Sequence, residues 1–128
     1  MVQQSIERAG TALDLACAGI GVGLSHPIRI AILRLLCERG ELCSCEIEPC
    51  FEVDPSGVSR HLSALRDAGL IVSRRDGVRI LHRTASPAVV ELLAVADRIA
   101  ARADAAEQAR RERREAQYRT EVRRRDRI

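Results

Sequence analysis

Apolar residues recur at helical spacing through most of the chain, with one stretch at strand spacing. Ile6, Ala9, Leu13 and Ala16/Cys17 predict an amphipathic helix over 6–18, ended near Gly19, Gly21 and Gly23. Ser25-His26-Pro27 reads as the next helix start, with Ser as the cap and Pro in the first turn. Ile28, Ala31, Ile32, Leu35 and Leu36 then form an unbroken apolar stripe, a core helix running to about Glu38 and stopped by Gly40. Residues 42–48 (LCSCEIE) are helical at best, because Pro49 disfavours helical geometry at Glu48. Asp54-Pro55 opens a further helix. Its inward face is Val58, Leu62 and Leu65; Ser56, Ser59, Arg60, Ser63 and Arg66 face outward; Gly69 ends it. Residues 70–75 and 78–84 are β-branched or alternating runs separated by Asp76-Gly77, a hairpin signal. Ser86-Pro87 starts the last helix, whose apolar positions 89, 92, 93, 96, 99, 100 and 103 keep helical spacing. Beyond Ala106 the chain is dominated by Ala, Arg, Glu and Gln. Opposite charges at 107/111, 111/115, 115/119 and 121/125 support a helix there only weakly, about 0.2–0.5 kcal/mol per pair.

A short helix, a tight turn, a polar helix and a basic hairpin, in that order, describe a winged helix-turn-helix: mainly α with a β-hairpin wing. The second helix of such a pair enters the major groove. Ser56, Ser59, Arg60 and His61 lie on it, and Arg74, Arg75 and Arg79 lie on the wing, suited to flanking phosphates. The competing reading is a solvated basic face on an unrelated small α+β domain. The apolar faces of the first helix and of residues 87–103 exceed what so small a domain can cover. They predict a homodimer that presents two reading helices to double-stranded operator DNA. On this reading residues 1–105 are the DNA-binding and dimerisation domain, and 106–128 an Arg-rich tail, helical or disordered.

Composition narrows the function. The 128 residues suit one ordinary domain. No apolar run approaches membrane-spanning length, so no membrane partner is expected. The N-terminus lacks a secretory pattern, which points to the cytoplasm. All 21 basic residues are Arg, which excludes lysine-based catalysis and a phosphate-loop lysine. Phe51 and Tyr118 are the only aromatic residues of the Phe, Trp and Tyr class, too few for single-strand stacking platforms. Charge is segregated. Segment 38–54 carries six acids against Arg39, a net of −5. Segment 55–83 carries six Arg against two Asp, a net of +4, and 98–128 a net of +5. Such basic stretches suit an anionic partner.

Five cysteines, at 17, 37, 43, 45 and 50, lie in the first half of the chain. An odd number without a secretion signal favours reduced thiols over a disulfide framework. Cys43, Cys45 and Cys50 within eight residues form a candidate soft-metal or metalloid site. Cys37 follows the Leu35-Leu36 stripe and is read as core packing. Among the histidines, His26 is read as structural, His61 as a DNA or intrahelix contact, and His82 as a satisfied surface residue.

Glu41-Leu42-Cys43-Ser44-Cys45-Glu46-Ile47 resembles the ELCVCDL motif of the arsenic-responsive ArsR/SmtB repressors. Val58-Ser59-Arg60-His61-Leu62, with Leu65-Arg66 and Ala68-Gly69-Leu70, is similar to that family's recognition helix. Ser25-His26-Pro27-Ile28-Arg29 resembles its L-x-D/H-P-x-R opening of a helix. The resemblance covers about residues 20–84. It implies a homodimeric transcriptional repressor that leaves DNA when a metal or metalloid binds. The spacing departs from the family's C-x-C-x-x-C, since four residues separate Cys45 from Cys50.

As(III) or Sb(III) takes three thiolates in a pyramid, whereas Cd(II), Pb(II) and Zn(II) accept sulfur sites of three or four ligands. Cys43 and Cys45 supply two. On an ideal helix Cys50 would stand about 10 Å from Cys43, so it serves as third ligand only if the segment bends at Pro49. The alternative third ligand is Cys17 of the first helix, from the same subunit or, as the resemblance to cadmium sensors implies, from the partner subunit. The last helix has Asp97, Asp104 and Glu107 but no His or Cys, which argues against the family's second type of metal site. Two other functions compete. One keeps the DNA binding and makes the thiols a redox or reactive-sulfur switch. The other, a thiol oxidoreductase, lacks C-x-x-C and any Cys–His–acid arrangement.

Overall fold

The computed structural model describes residues 10–127. The first helix, α1 (Ala12–Gly23), opens on a reciprocal cap. The Thr11 hydroxyl accepts the Asp14 N–H at 3.2 Å, and the Asp14 carboxylate accepts the Thr11 N–H at 3.1 Å. The expected start at Ile6 and Ala9 lies outside the described residues. Gly19 and Gly21 do not end the helix; they lie inside it. Gly23 does, where close packing requires a glycine: a Cβ there would stand 2.7 Å from Leu70 Cδ1 and 2.8 Å from Ala68 Cβ.

Helix α2 (Pro27–Arg39) is capped by His26, not by Ser25. The His26 Nδ1 accepts the Ile28 N–H at 3.1 Å, while the Ser25 hydroxyl donates backward to the Val22 carbonyl at 2.7 Å. Gly40, at φ 80°, closes the helix as expected. The LCSCEIE segment, expected to be helical at best, begins as a strand. β1 (Leu42–Cys43) leads into the single turn α3 (Ser44–Ile47) and a 3-10 turn (Glu48–Cys50).

Helix α4 (Pro55–Asp67) has Val58, Leu62 and Leu65 buried, as its spacing dictates. It ends in a Schellman turn: Leu70 N–H reaches Leu65 O, Gly69 N–H reaches Arg66 O, and Gly69 takes φ 77°. Strands β2 (Ile71–Asp76) and β3 (Arg79–Thr84) pair antiparallel with Asp76 opposite Arg79. The turn is therefore Gly77-Val78, one residue later than Asp76-Gly77. β1 adds to the far edge of β3, giving the order β1-β3-β2. The core is Ile32, Leu33 and Leu36 of α2, Ile47 of α3, the α4 face, and Leu70, Ile71 and Leu81 around the sheet.

The chain divides into two compact units after Val90. The last helix, α5 (Ala88–Asp126), runs unbroken through the Arg-rich stretch. Two of the four expected charge pairs form there, Glu107–Arg111 and Glu121–Arg125. No single helix among the described residues is long and apolar enough to cross a membrane.

Candidate DNA-reading surface and cysteine site

The exposed face of α4 carries Ser56, Ser59 and Arg60. Asp54 sits at its N-cap but spends its carboxylate on the Ser56 hydroxyl, and this bond holds the Asp54 carboxyl below its ordinary range. Gly57 is buried against Val53, where a Cβ would overlap the valine side chain; α4 is thereby seated close on the preceding segment. Of the DNA or intrahelix contact expected of His61, the structure shows no intrahelix one among the described residues; its side-chain partner is on α2. Its Nδ1 accepts from Arg29 Nε at 3.2 Å, and its ring lies 4.5 Å from that of His26. Burial, and then the charges of His26, Arg29 and Arg60, push its pKa below the ordinary 6.5.

The wing arginines are not equivalent. Arg74 forks onto Glu41, with Nε to Oε2 at 2.9 Å and Nη2 to Oε1 at 2.5 Å. That hydrogen bond lowers the Glu41 pKa and raises that of Arg74. Arg79 donates to Glu46 at 3.0 Å. Arg75 is exposed and has no ion pair among the described residues.

Cys43 and Cys45 come together and their sulfurs are bonded, with 5.2 Å between the Cα atoms. Cys43 is buried at the end of β1; Cys45 is exposed on the first turn of α3. They line one side of a cavity of about 380 Å³ with Glu48, and Val78, Arg79 and Ile80 of the wing line the other. Cys50 is exposed and its thiol points back to the Glu46 carbonyl at 3.4 Å. Cys17 is exposed on α1. No group of three potential metal ligands gathers among the described residues, so neither Cys50 nor Cys17 of the same subunit joins the pair in this arrangement. Cys37 is half-buried and burial raises its pKa, in keeping with packing.

His82 departs from its expected surface role. It is 2% exposed on β3 and stands between two serines. Its Nε2 lies 2.8 Å from Ser44 Oγ and its Nδ1 2.6 Å from Ser73 Oγ. Ser73 also accepts from Arg66 at 3.4 Å, and Arg66 reaches Ser63 at 3.1 Å. A neutral ring donates at one nitrogen and accepts at the other. Whichever nitrogen carries the hydrogen, one serine hydroxyl donates to the ring and the other accepts from it. A chain of polar contacts thus runs from the residue between the two cysteines to the last turn of α4. Sequence reasoning missed Glu41, Glu46 and His82 as partners. The abutting acidic and basic segments were the signal for the first two.

Residues 26–73 match the family described as "Bacterial regulatory protein, arsR family". An HTH-type transcriptional regulator of Mycobacterium tuberculosis is 43% identical over 83 residues, which is 62% of this chain and 69% of that protein. The arsenical resistance operon repressor of Escherichia coli is 37% identical over 60 residues, covering 47% and 51%. Among solved structures, the homodimeric winged helix-turn-helix DNA-binding domain of a possible ArsR-family regulator from Mycobacterium bovis superposes with a TM-score of 0.65. It is 32% identical and covers 72% of this chain and 84% of that one. A helix-turn-helix whose second helix carries an exposed polar face, a three-stranded wing and these relatives agree: the chain belongs to the ArsR/SmtB family of winged helix-turn-helix transcriptional regulators.

Proposed function

We propose that this protein is a homodimeric, cytoplasmic repressor of transcription that binds double-stranded operator DNA and releases it when a trivalent metalloid or soft metal engages Cys43 and Cys45. The observation that supports this reading most is the meeting of the two sulfurs at the β1–α3 junction, directly beside the wing. Two thiolates that can reach one another can also reach one arsenic or antimony atom, with the third position filled by Cys50 or by Cys17 of the partner subunit. Cd(II), Pb(II) and Zn(II) remain alternative ions for the same donors. Ser56, Ser59 and Arg60 read the operator. His61 has only its Nε2 left for DNA. Arg74, Arg75 and Arg79 contact phosphate. Residues 106–128 extend this 1–105 domain as an Arg-rich tail.

The bonded sulfurs favour a second reading, a switch driven by oxidation. A peroxide would convert one thiol to a sulfenic acid with loss of water. The second thiol would then displace a second water and leave the disulfide.

Anaerobic titration of the reduced protein separates the two. Arsenite, antimonite, cadmium, lead and zinc are added in turn to the protein–DNA complex, and hydrogen peroxide in a parallel series. Release by arsenite with the thiols still reduced supports metalloid sensing. Release by peroxide alone replaces it with the redox switch. Retention of DNA under every addition removes the thiolate switch.

A further inference from the structure

The two acids that bracket the cysteine pair hold two of the three wing arginines. Glu41 takes Arg74 and Glu46 takes Arg79, each pair spanning 33 residues of sequence. Both arginine side chains remain about half exposed, at 57% and 51%. Glu46 does more than balance charge. Its Oε1 accepts the Cys43 N–H at 3.1 Å and the Arg79 guanidinium at 3.0 Å. One carboxylate oxygen therefore joins the backbone of a sensor cysteine to a wing cation. The ladder adds a second tie, with Cys43 opposite Leu81 and Leu81 opposite Arg74. The Ser44–His82–Ser73 chain adds a third.

We propose that Glu41 and Glu46 are positioning residues that compete with DNA phosphate for Arg74 and Arg79, and that the state of the Cys43–Cys45 pair sets this competition. Only the second half rests on the thiolate-switch reading. With the sulfurs joined directly, as here, both arginines are turned onto carboxylates, and on the thiolate-switch reading an arsenic atom bridging the two sulfurs holds the same arrangement. An arginine so held adds no net charge to the wing and neutralises no phosphate. Exposed pairs of this kind are weak and screened, so a phosphate can displace the carboxylate. When the pair is open, β1 and α3 are free to shift, Glu46 moves with Cys43, and the arginines turn to DNA. The wing then carries the signal, alongside any movement of α4.

The test uses the full chain and a duplex selected for tight binding by the reduced protein. Binding is measured across a salt series, with and without arsenite. In the presence of arsenite, E41Q/E46Q should bind roughly 2- to 30-fold tighter than the parent, the factor expected for two exposed ion pairs. Its log–log salt slope should steepen by about 0.9 for each arginine set free. The gain should vanish when R74Q/R79Q is added to E41Q/E46Q. E52Q, an equal change of charge at an exposed acid of the same segment, should give neither effect. The proposal is overturned if E41Q/E46Q gains nothing, if the gain survives without the two arginines, or if E52Q matches it. If the parent keeps its DNA in arsenite while E41Q/E46Q still gains slope, the sensing reading fails and the carboxylate competition stands.

Discussion

Arg29 donates through Nε to His61 Nδ1 at 3.2 Å, and its Nη1 reaches the Val22 carbonyl at 2.7 Å. One guanidinium thus ties the end of α1, the first turn of α2 and the middle of the reading helix. The stretches 25–29 and 58–62, which carry two parts of the family resemblance, are one contact in the fold. Arg29→Met removes both bonds and leaves the His61 nitrogen without its donor. It should destabilise the protein by about 1–3 kcal/mol. It should also weaken specific binding more than non-specific binding, because α4 loses its anchor while the wing charge is unchanged. Urea unfolding and titration on operator and random duplexes check both; equal losses on the two duplexes would separate this contact from reading.

Acid should weaken the fold through two histidines. His61 and His82 both have pKa values pushed below 6.5, chiefly by burial, with Arg66 adding to the effect at His82. The unfolded chain therefore takes up these protons first as pH falls. Stability is fully present above about 6.5 and declines below it, because the unfolded state binds more protons there. Protonation would also put a hydrogen on both nitrogens of each ring, so Arg29 and one of the two serines would lose an acceptor. Unfolding midpoints at pH 7.5 and 5.5 should differ, and His82→Gln should reduce the difference while weakening the fold at pH 7.5. An identical pH slope in the parent and in a His61→Gln, His82→Gln double variant would assign the acid sensitivity elsewhere.

Long apolar stripes made α2 and α4 legible from sequence, and the glycine stops at Gly40 and Gly69 fell where the backbone takes positive φ. β1 was not legible. Two residues have no period, and their strand character comes only from pairing with β3, 38 or more positions away. The same pairing brings Glu41 to Arg74 and Glu46 to Arg79, so the opposite charges were visible in sequence while their partnership was not. His82 looked like a surface residue because strand alternation does not reveal which face α3 and α4 cover. Cys43 and Cys45 were legible as a pair; among the described residues of one chain no third ligand is gathered beside them.

Substitution of the cysteines should separate sensing from binding. Cys43→Ser with Cys45→Ser should leave operator affinity within about twofold and abolish arsenite-driven release, a coupling of about 1–3 kcal/mol. Cys50→Ser should do the same if Cys50 is the third ligand, and Cys17→Ser if the partner subunit supplies it. Cys37→Ser should lower the unfolding midpoint and leave release intact. Fluorescence anisotropy of a labelled duplex reads release, and normal release from the Cys43, Cys45 double variant would refute the thiolate switch.

The first helix predicts its own interface. Leu15 and Val22 lie two turns apart on α1, 68% and 61% exposed, with Ala18 and Gly19 between them on the same stripe. Apolar side chains this open and this regularly spaced suit a second copy of the same surface, since an isologous contact repeats every residue across a two-fold axis. Leu15→Glu places a carboxylate in that stripe, and symmetry places two in each dimer. The change leaves the core untouched, so the monomer should keep its far-ultraviolet circular dichroism. Its sedimentation mass should fall from two chains to one at micromolar concentration. Operator affinity should fall with it, because one reading helix can no longer recruit a second to the next major groove, about 34–36 Å along the duplex. A parent protein that already sediments as one chain, or a Leu15→Glu variant that stays dimeric, would take the interface away from α1.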